Sequence, residues 1–312
     1  MVLMRIALLG PVRVYAADAP VAVRGLRARR AIALLALNAG RPVAVDHLVD
    51  TLWPEDPPAT CREQVYNCVA GLRRALGATV IRGDGGYTLM VAADRVDALA
   101  FEASVRSAAA PDRAAAVAAL RAGLRLWHGD ALEGVAGGPL GRVATRLDTL
   151  RGDAWERLFD LELAARRDTD LLAELAAVAE RYPLRERLTC QLATALWECG
   201  WAARALEVCQ EHRRQVRAEF AVEPGAAVRE LEARIRSGQT APARPAASPA
   251  AGTAASRSPG RRPRPAPHAG AAPVERARVD RLLAEVRVLL AEVRGLVADA
   301  GGFSCPTCPP GT

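Results

Sequence analysis

The spacing of apolar positions changes period along this chain, and each change marks an element. Residues 4–9, 12–15 and 20–23 are short apolar or alternating runs broken at Gly10-Pro11 and Asp18-Ala19-Pro20, which predicts three strands. An apolar helix is predicted from about Arg27 to Asn38, stopped at Gly40. A second runs from about Ala44 to Trp53 and buries Val45, Leu48, Val49 and Leu52, and Pro54-Glu55-Asp56-Pro57-Pro58 follows as a stiff turn. The third helix begins at Thr60, where Thr60-Cys61-Arg62-Glu63 has the form of a capping box. Its Val65, Val69, Leu72 and Leu76 recur at helical spacing, so one face enters a core and Arg62, Tyr66, Asn67, Ala70, Arg73 and Arg74 lie on or near the other. Thr79–Arg82 and Tyr87–Met90, joined through Gly83-Asp84-Gly85-Gly86, predict a β-hairpin. Together these elements predict a mixed α/β winged helix-turn-helix domain over residues 1–95.

From Val96 to about Ser237 the pattern is helical throughout, with breaks near Pro111, Gly129, Gly137-Gly138-Pro139, Asp168, Tyr182-Pro183, Cys199-Gly200 and Glu223-Pro224-Gly225. Leu184 to Glu219 predicts two helices joined at Gly200. The small residues Ala193, Ala195, Ala202, Ala203 and Ala205 allow close approach, so an all-α, tetratricopeptide-like domain is expected over 96–238. Residues 239–273 hold Pro, Ala, Arg, Ser and Gly with little to bury, which predicts a disordered linker. In 274–300, Val279, Leu282, Val286, Leu289, Val293 and Leu296 form an amphipathic stripe that suits a parallel coiled coil, docking on the helical domain, or a separate partner. Residues 301–312 carry Cys305-Pro306-Thr307-Cys308.

Composition narrows the chemistry. All 42 Lys+Arg residues are arginine, which removes the Walker lysine, the Schiff-base amine and the kinase lysine. Arginine is suited to planar, bidentate contact with phosphate and base edges. The net charge of +7 is unevenly spread: residues 1–95 are net basic and 96–238 slightly acidic. The four histidines stand apart in sequence, and the acids of the helical region read as solvated faces, so neither a metal nor a nucleophilic constellation forms and an enzyme is not expected. No signal peptide or membrane span is expected at the start of the chain, and the odd number of scattered cysteines fits a reducing cytoplasm. The five tryptophans read as packing anchors. Cys305 and Cys308 leave three readings open: an uninvolved tail, half of a zinc site completed by a second copy, or a redox pair.

Several blocks carry a family resemblance. Arg27 to Val43, Val45-Asp46-His47-Leu48-Val49-Asp50-Thr51-Leu52-Trp53, Leu72-Arg73-Arg74-Ala75-Leu76-Gly77 and Gly86-Tyr87-Thr88-Leu89 closely resemble the OmpR-type winged helix of the Streptomyces antibiotic regulatory proteins. Leu126-Trp127-His128-Gly129, Tyr182 to Leu188, Ala205-Leu206-Glu207-Val208 and Glu223-Pro224-Gly225 with Leu231-Glu232 resemble its bacterial transcriptional activation domain, so about residues 4–236 are covered. The resemblance implies a cytoplasmic, nucleoid-associated activator without a cofactor. It implies binding to direct repeats in double-stranded DNA as a homodimer, and recruitment of RNA polymerase holoenzyme to secondary-metabolite genes. It places Thr60–Leu76 in the major groove as recognition helix and Arg82–Tyr87 as the wing.

On that placement Arg73 and Arg74 are expected at phosphate or base edges, and Arg62, Tyr66 and Asn67 near the groove, with Asn67 matched to adenine. Arg41, His47, Arg82 and Tyr87 complete the candidate DNA contacts. Relatives often carry Ser-Arg before Leu-Arg-Arg, whereas this chain has Ala70-Gly71, and Gly71 costs about 1 kcal/mol of helix propensity. That departure sustains an alternative, a protein-interaction scaffold with a degenerate DNA-binding domain.

Overall fold

The computed structural model describes residues 4–83, 85–165 and 169–239. Apart from Gln239, the expected linker, the amphipathic stripe of 274–300, and Cys305 and Cys308 lie outside the described residues. The chain forms two compact units, Met1–Leu161 and the residues from Glu162 onward. Compactness thus divides the chain elsewhere than the sequence boundary at 95/96, which separates motifs rather than packing.

In the first unit, β1 (Met4–Ala7), β2 (Arg13–Ala16) and β3 (Ala19–Val21) form an antiparallel sheet in that order. Met4, Ile6 and Val14 point into the core while Arg5 stays out, the period-two alternation expected of a half-buried strand. The β2–β3 turn consists of Ala17 and Asp18, both at positive φ (47° and 64°), as a two-residue hairpin with right-handed twist requires. β1 is shorter than predicted. Leu8 and Leu9 leave the ladder because their amides donate to the Asp97 carboxylate, at 2.7 and 3.1 Å.

α1 (Leu26–Leu37) buries the unbroken run Ala31–Ala36, so it lies at the centre with α2 (Val45–Leu52), α3 (Cys61–Leu76) and the hairpin around it. The hairpin strands β4 (Val80–Gly83) and β5 (Gly86–Leu89) pair Gly83 with Gly86, so the turn is tighter than the sequence suggested. Val43 and Tyr87 exchange backbone hydrogen bonds of 2.8 and 2.9 Å, which ties β5 to the α1–α2 connection. At Gly86 only glycine fits: φ is 127° and a Cβ would stand 2.0 Å from the Val43 carbonyl oxygen.

The same core continues through α4 (Asp97–Ser107), α5 (Arg113–Leu124) and the start of α6 (Gly138–Leu163). Asp112 caps α5 by accepting from the Ala114 amide at 2.9 Å. α4 and α5 approach closely at Gly123, where an added Cβ would meet Ser104 at 2.9 Å, and Phe101 meets Trp127 edge-on at 5.3 Å. Between the expected breaks near Gly129 and Gly137-Gly138, residues 125–137 form no helix. They run as irregular chain whose amides serve the segment after β1: His128 donates to the Leu9 carbonyl at 2.8 Å and Leu132 to that of Leu8 at 2.7 Å.

The second unit contains α7 (Thr169–Arg181), α8 (Glu186–Glu198), α9 (Ala202–Phe220) and α10 (Ala226–Arg236). α8 and α9 form an antiparallel pair turned at Gly200, whose φ is 84°. Ala193, Ala195 and Ala205 are buried, as close approach requires, while Ala203 is exposed. α10 covers the pair with Val228, Leu231 and Ile235. Glu232 is a correction to the solvated-acid reading: it is 1% exposed and takes hydrogen bonds from Arg213 and Arg236, since a carboxylate can enter a core only with its charge answered. His212, expected to stand alone, is buried and faces the Pro183 carbonyl oxygen at 2.9 Å and the Thr189 hydroxyl at 3.2 Å. Among the described residues no helix is long and apolar enough to cross a membrane.

Candidate nucleic-acid interface

α3 runs 16 residues without a break, through Gly71. Val65, Val69, Leu72 and Leu76 are buried against α1 and α2, and Arg62, Tyr66, Asn67, Ala70, Arg73 and Arg74 are exposed, so the helix presents one apolar and one polar face as its spacing dictates. Its entry differs from the expected capping box. Thr60 makes no side-chain cap bond and its hydroxyl instead accepts from the Gln64 amide at 3.0 Å. With backbone angles of −91° and 17°, Thr60 lacks the extended conformation that turns a cap hydroxyl toward the helix amides. At the other end Arg73 and Arg74 stand in the last turn, where their charge favours the helix dipole.

The arginines of this face are held differently from one another. Arg62 pairs with Asp46 of α2, both groups well exposed, a contact worth at most about 1 kcal/mol in water. Arg73 donates from Nε to the Val80 carbonyl oxygen at 2.9 Å, with its guanidinium 5.8 Å from the centre of the Tyr87 ring, so it ties α3 to the hairpin. Its two terminal nitrogens remain for an outside acceptor. Arg74 lies back over Gly71, one terminal nitrogen 4.0 Å from where a Cβ would stand. A Cβ at position 71 would stand in ordinary van der Waals contact with it. Arg41 and His47 are exposed on the α1–α2 connection and on α2, and Arg82 pairs in β4 with Tyr87. The side chain of Arg82 lies outside what is described.

Tyr87 is the member of the predicted set that burial removes from the surface. It is 3% exposed, because β5 is pulled onto the α1–α2 connection and its ring turns into the core. Its part is to support Arg73.

Two features escaped the sequence reading, Asp97 and a cleft beside α3. Asp97 takes the amides of Leu8, Leu9 and Ala98, and burial pushes its carboxyl up while those three donors and His128 pull it back. Nothing within α4 marks it, since Leu8 and Leu9 lie nearly 90 positions away. Arg27 and Arg30 border a cleft beside α3, where Arg27 donates to the Gln64 side chain at 3.0 Å. Cys68, Cys190 and Cys209 are weakened as nucleophiles: burial raises the Cys68 thiol, and burial together with Glu186 raises Cys190 to about 11. Burial is also the main cause that lifts Cys209 to about 12.

Comparison with known proteins bears on both units. Residues 96–236 match the family model described as bacterial transcriptional activator domain. The chain is 34% identical over 246 residues to the regulatory protein DnrI of Streptomyces peucetius, spanning 73% of this chain and 90% of that protein. It is 33% identical to the regulatory protein AfsR of Streptomyces griseus, over 78% of this chain but 26% of that protein, so it spans about a quarter of the length of that larger relative. The transcriptional regulator RedD of Streptomyces coelicolor is 32% identical, over 74% of this chain and 69% of its own. Among solved structures, Mycobacterium tuberculosis EmbR in complex with a low affinity phosphopeptide superposes with a TM-score of 0.68 at 29% identity, covering 77% of this chain and 66% of that one.

Proposed function

We propose, from the premise that this chain belongs to the Streptomyces antibiotic regulatory protein family of transcriptional regulators, that it is a DNA-binding transcriptional activator acting through α3. Residues 4–95 are then a winged helix-turn-helix in which α2 and α3 form the helix-turn-helix and the β4–β5 hairpin the wing. The observation that carries this reading is the two-faced α3. Its inner face is wholly apolar and fixed between α1 and α2, and its outer face offers Tyr66, Asn67, Arg73 and Arg74 to a groove.

Each candidate then has a physical task. Asn67 supplies paired donor and acceptor groups for adenine, and Arg74 supplies a guanidinium with no carboxylate partner among the described residues. Arg62 reaches DNA by exchanging Asp46 for a phosphate, and Arg73 reaches it from a position set by the Val80 carbonyl. Arg41, His47 and Arg82 hold the backbone on either side. Binding to direct repeats as a homodimer, recruitment of RNA polymerase holoenzyme through residues 96–238, control of secondary-metabolite genes and a cytoplasmic site of action complete the proposal on the strength of the family.

Titration of the full chain against a bound genomic duplex by fluorescence anisotropy tests it. Asn67→Ala with Arg74→Ala is expected to weaken binding by at least about tenfold, and Arg74→Ala alone to flatten the dependence of log affinity on log salt by about one unit. Unchanged affinity and slope in the folded double variant would withdraw α3 as the reading helix and favour the scaffold alternative.

A further inference from the structure

Beside α3 lies a cleft of about 1080 Å³, bordered by the start of α1, the end of α2 with the Pro54–Asp56 turn, the inner edge of α3, and Gly137-Gly138 at the start of α6. Arg24, Arg27 and Arg30 line it, and none is answered by a carboxylate among the described residues. The acceptors they do meet are neutral: the Gln64 amide for Arg27 at 3.0 Å, and for Arg30 the carbonyls of Val135 and Leu52 at 3.3 and 3.4 Å. The first turns of α1 and α6 hold no acidic residue, and α1 has no side-chain cap, so the positive end of the α1 dipole is also unanswered. A further observation points the same way. Trp53, nine-tenths buried, forms part of the cleft wall with its indole N–H shut off from solvent and without an acceptor, and the Arg27 guanidinium lies 4.9 Å from its ring centre.

We propose that this cleft binds a phosphate ester of mononucleotide size. Its phosphate takes the arginines and the helix starts, and its ring lies along the wall made by Arg27, Trp53 and Pro54. Duplex DNA does not suit the cleft, since a duplex receives protruding elements and does not itself insert between four segments. An acidic peptide suits it less than a compact phosphate, because carboxylates spread along the cleft would pass Glu55 and Asp56 at its lip. Gln64 and Asn67 belong to both the cleft and α3, so an occupant touches the helix assigned to DNA. Binding itself does not rest on that assignment and is measured without DNA.

The test uses the full chain with AMP, inorganic pyrophosphate and adenosine as probes, by calorimetry and by the rate at which iodoacetamide alkylates Cys68, which lines the cleft, against Cys199 as the internal reference. AMP and pyrophosphate are expected to bind one per chain, with adenosine at least about tenfold weaker, a difference of about 1.4 kcal/mol. AMP should slow alkylation at Cys68 and leave Cys199 unchanged. Arg24→Glu, at an exposed position ahead of α1, and Arg27→Gln should each weaken AMP about tenfold, Glu55→Gln should strengthen it, and Arg74→Ala should leave it unaltered. The site is overturned if neither phosphate probe binds at millimolar concentration, if adenosine equals AMP, or if Arg74→Ala abolishes binding that Arg24→Glu retains. Protection of Cys68 by a glutamate-rich peptide but not by AMP would give the cleft to a polypeptide and overturn it equally.

Discussion

Arginine is the only strong base in this chain, and two regions use it in opposite ways, the helices α8 to α10 and the surface around α1 and α3, while elsewhere in the first unit Arg106 and Arg146 share Glu102. In the unit from Glu162 onward, Arg204, Arg213, Arg214, Arg217 and Arg236 each meet a carboxylate, and Glu232 gathers two of them at 1% exposure. Around α1 and α3, Arg24, Arg27, Arg30 and Arg74 meet neutral acceptors or no carboxylate at all, and Arg62 with its exposed Asp46 is the exception. The same residue is a tie where acids stand within a helical turn or a facing helix, and an open charge where none do. Net charge could not show this, because it averages paired and unpaired groups. The contrast implies that substitutions at the tied arginines and their acids should cost stability, and at the open ones should cost binding.

The largest effect is expected at the buried tie. Glu232→Ala leaves Arg213, itself only partly exposed, without its main partner, and should lower the unfolding free energy by about 3 kcal/mol, read from the urea midpoint. A loss below about 1 kcal/mol would mean that this network is no more than a surface pair.

Next comes Asp97, a carboxylate tied to amides rather than to arginine. Asp97→Asn keeps the shape but turns an amide donor toward the Leu8 and Leu9 donors, and should cost about 2 kcal/mol. Its pH dependence has a definite sign. Burial raises the folded carboxyl above its ordinary 3.8, so the folded chain holds that proton more tightly than the unfolded one. The stabilisation linked to the proton is complete below about 3.8 and is lost as pH rises through the folded value, so the penalty of Asp97→Asn should shrink from pH 4 toward neutrality. Urea midpoints of both proteins across that range measure it, and a penalty that grows with pH would show that the three donors outweigh burial.

The smallest stability effect is expected from the open charges. Arg24→Ala and Arg74→Ala should each change unfolding free energy by less than about 0.5 kcal/mol while altering anion and DNA binding respectively. A large stability loss in either would show that these arginines are ties as well, and the contrast between the two regions would disappear.

The Asp97 geometry also bears on experiments with fragments. Ile6 bridges to Val96, and Leu8 and Leu9 rely on Asp97, His128 and Leu132, so residues 1–95 alone would leave these amides and carbonyls unanswered. Point substitutions in the full chain therefore test α3 more cleanly than truncation.

Much of the architecture was legible along the chain because its causes are local. The spacing of Val65, Val69, Leu72 and Leu76 determined which face of α3 is buried, and Gly40 and Gly200 marked where helices stop, since periodicity and positive φ are properties of neighbouring residues. Which polar groups find one another was left to the tertiary structure. The sequence could list Thr60 and Glu63 as a cap, yet Gln64 took the hydroxyl. It could place Tyr87 beside Arg82 on a hairpin, yet only the pairing with Val43 turned that ring into the core. It likewise showed Arg24, Arg27 and Arg30 only as charges near one helix start. Their meeting with Trp53 and Gly137-Gly138, and the absence of any carboxylate to answer them among the described residues, depends on contacts between residues up to about a hundred positions apart. Apolar periodicity is set within a few turns of chain, whereas hydrogen bonds and ion pairs are decided by distance and direction in space, so the elements could be read before folding and the sites only after it.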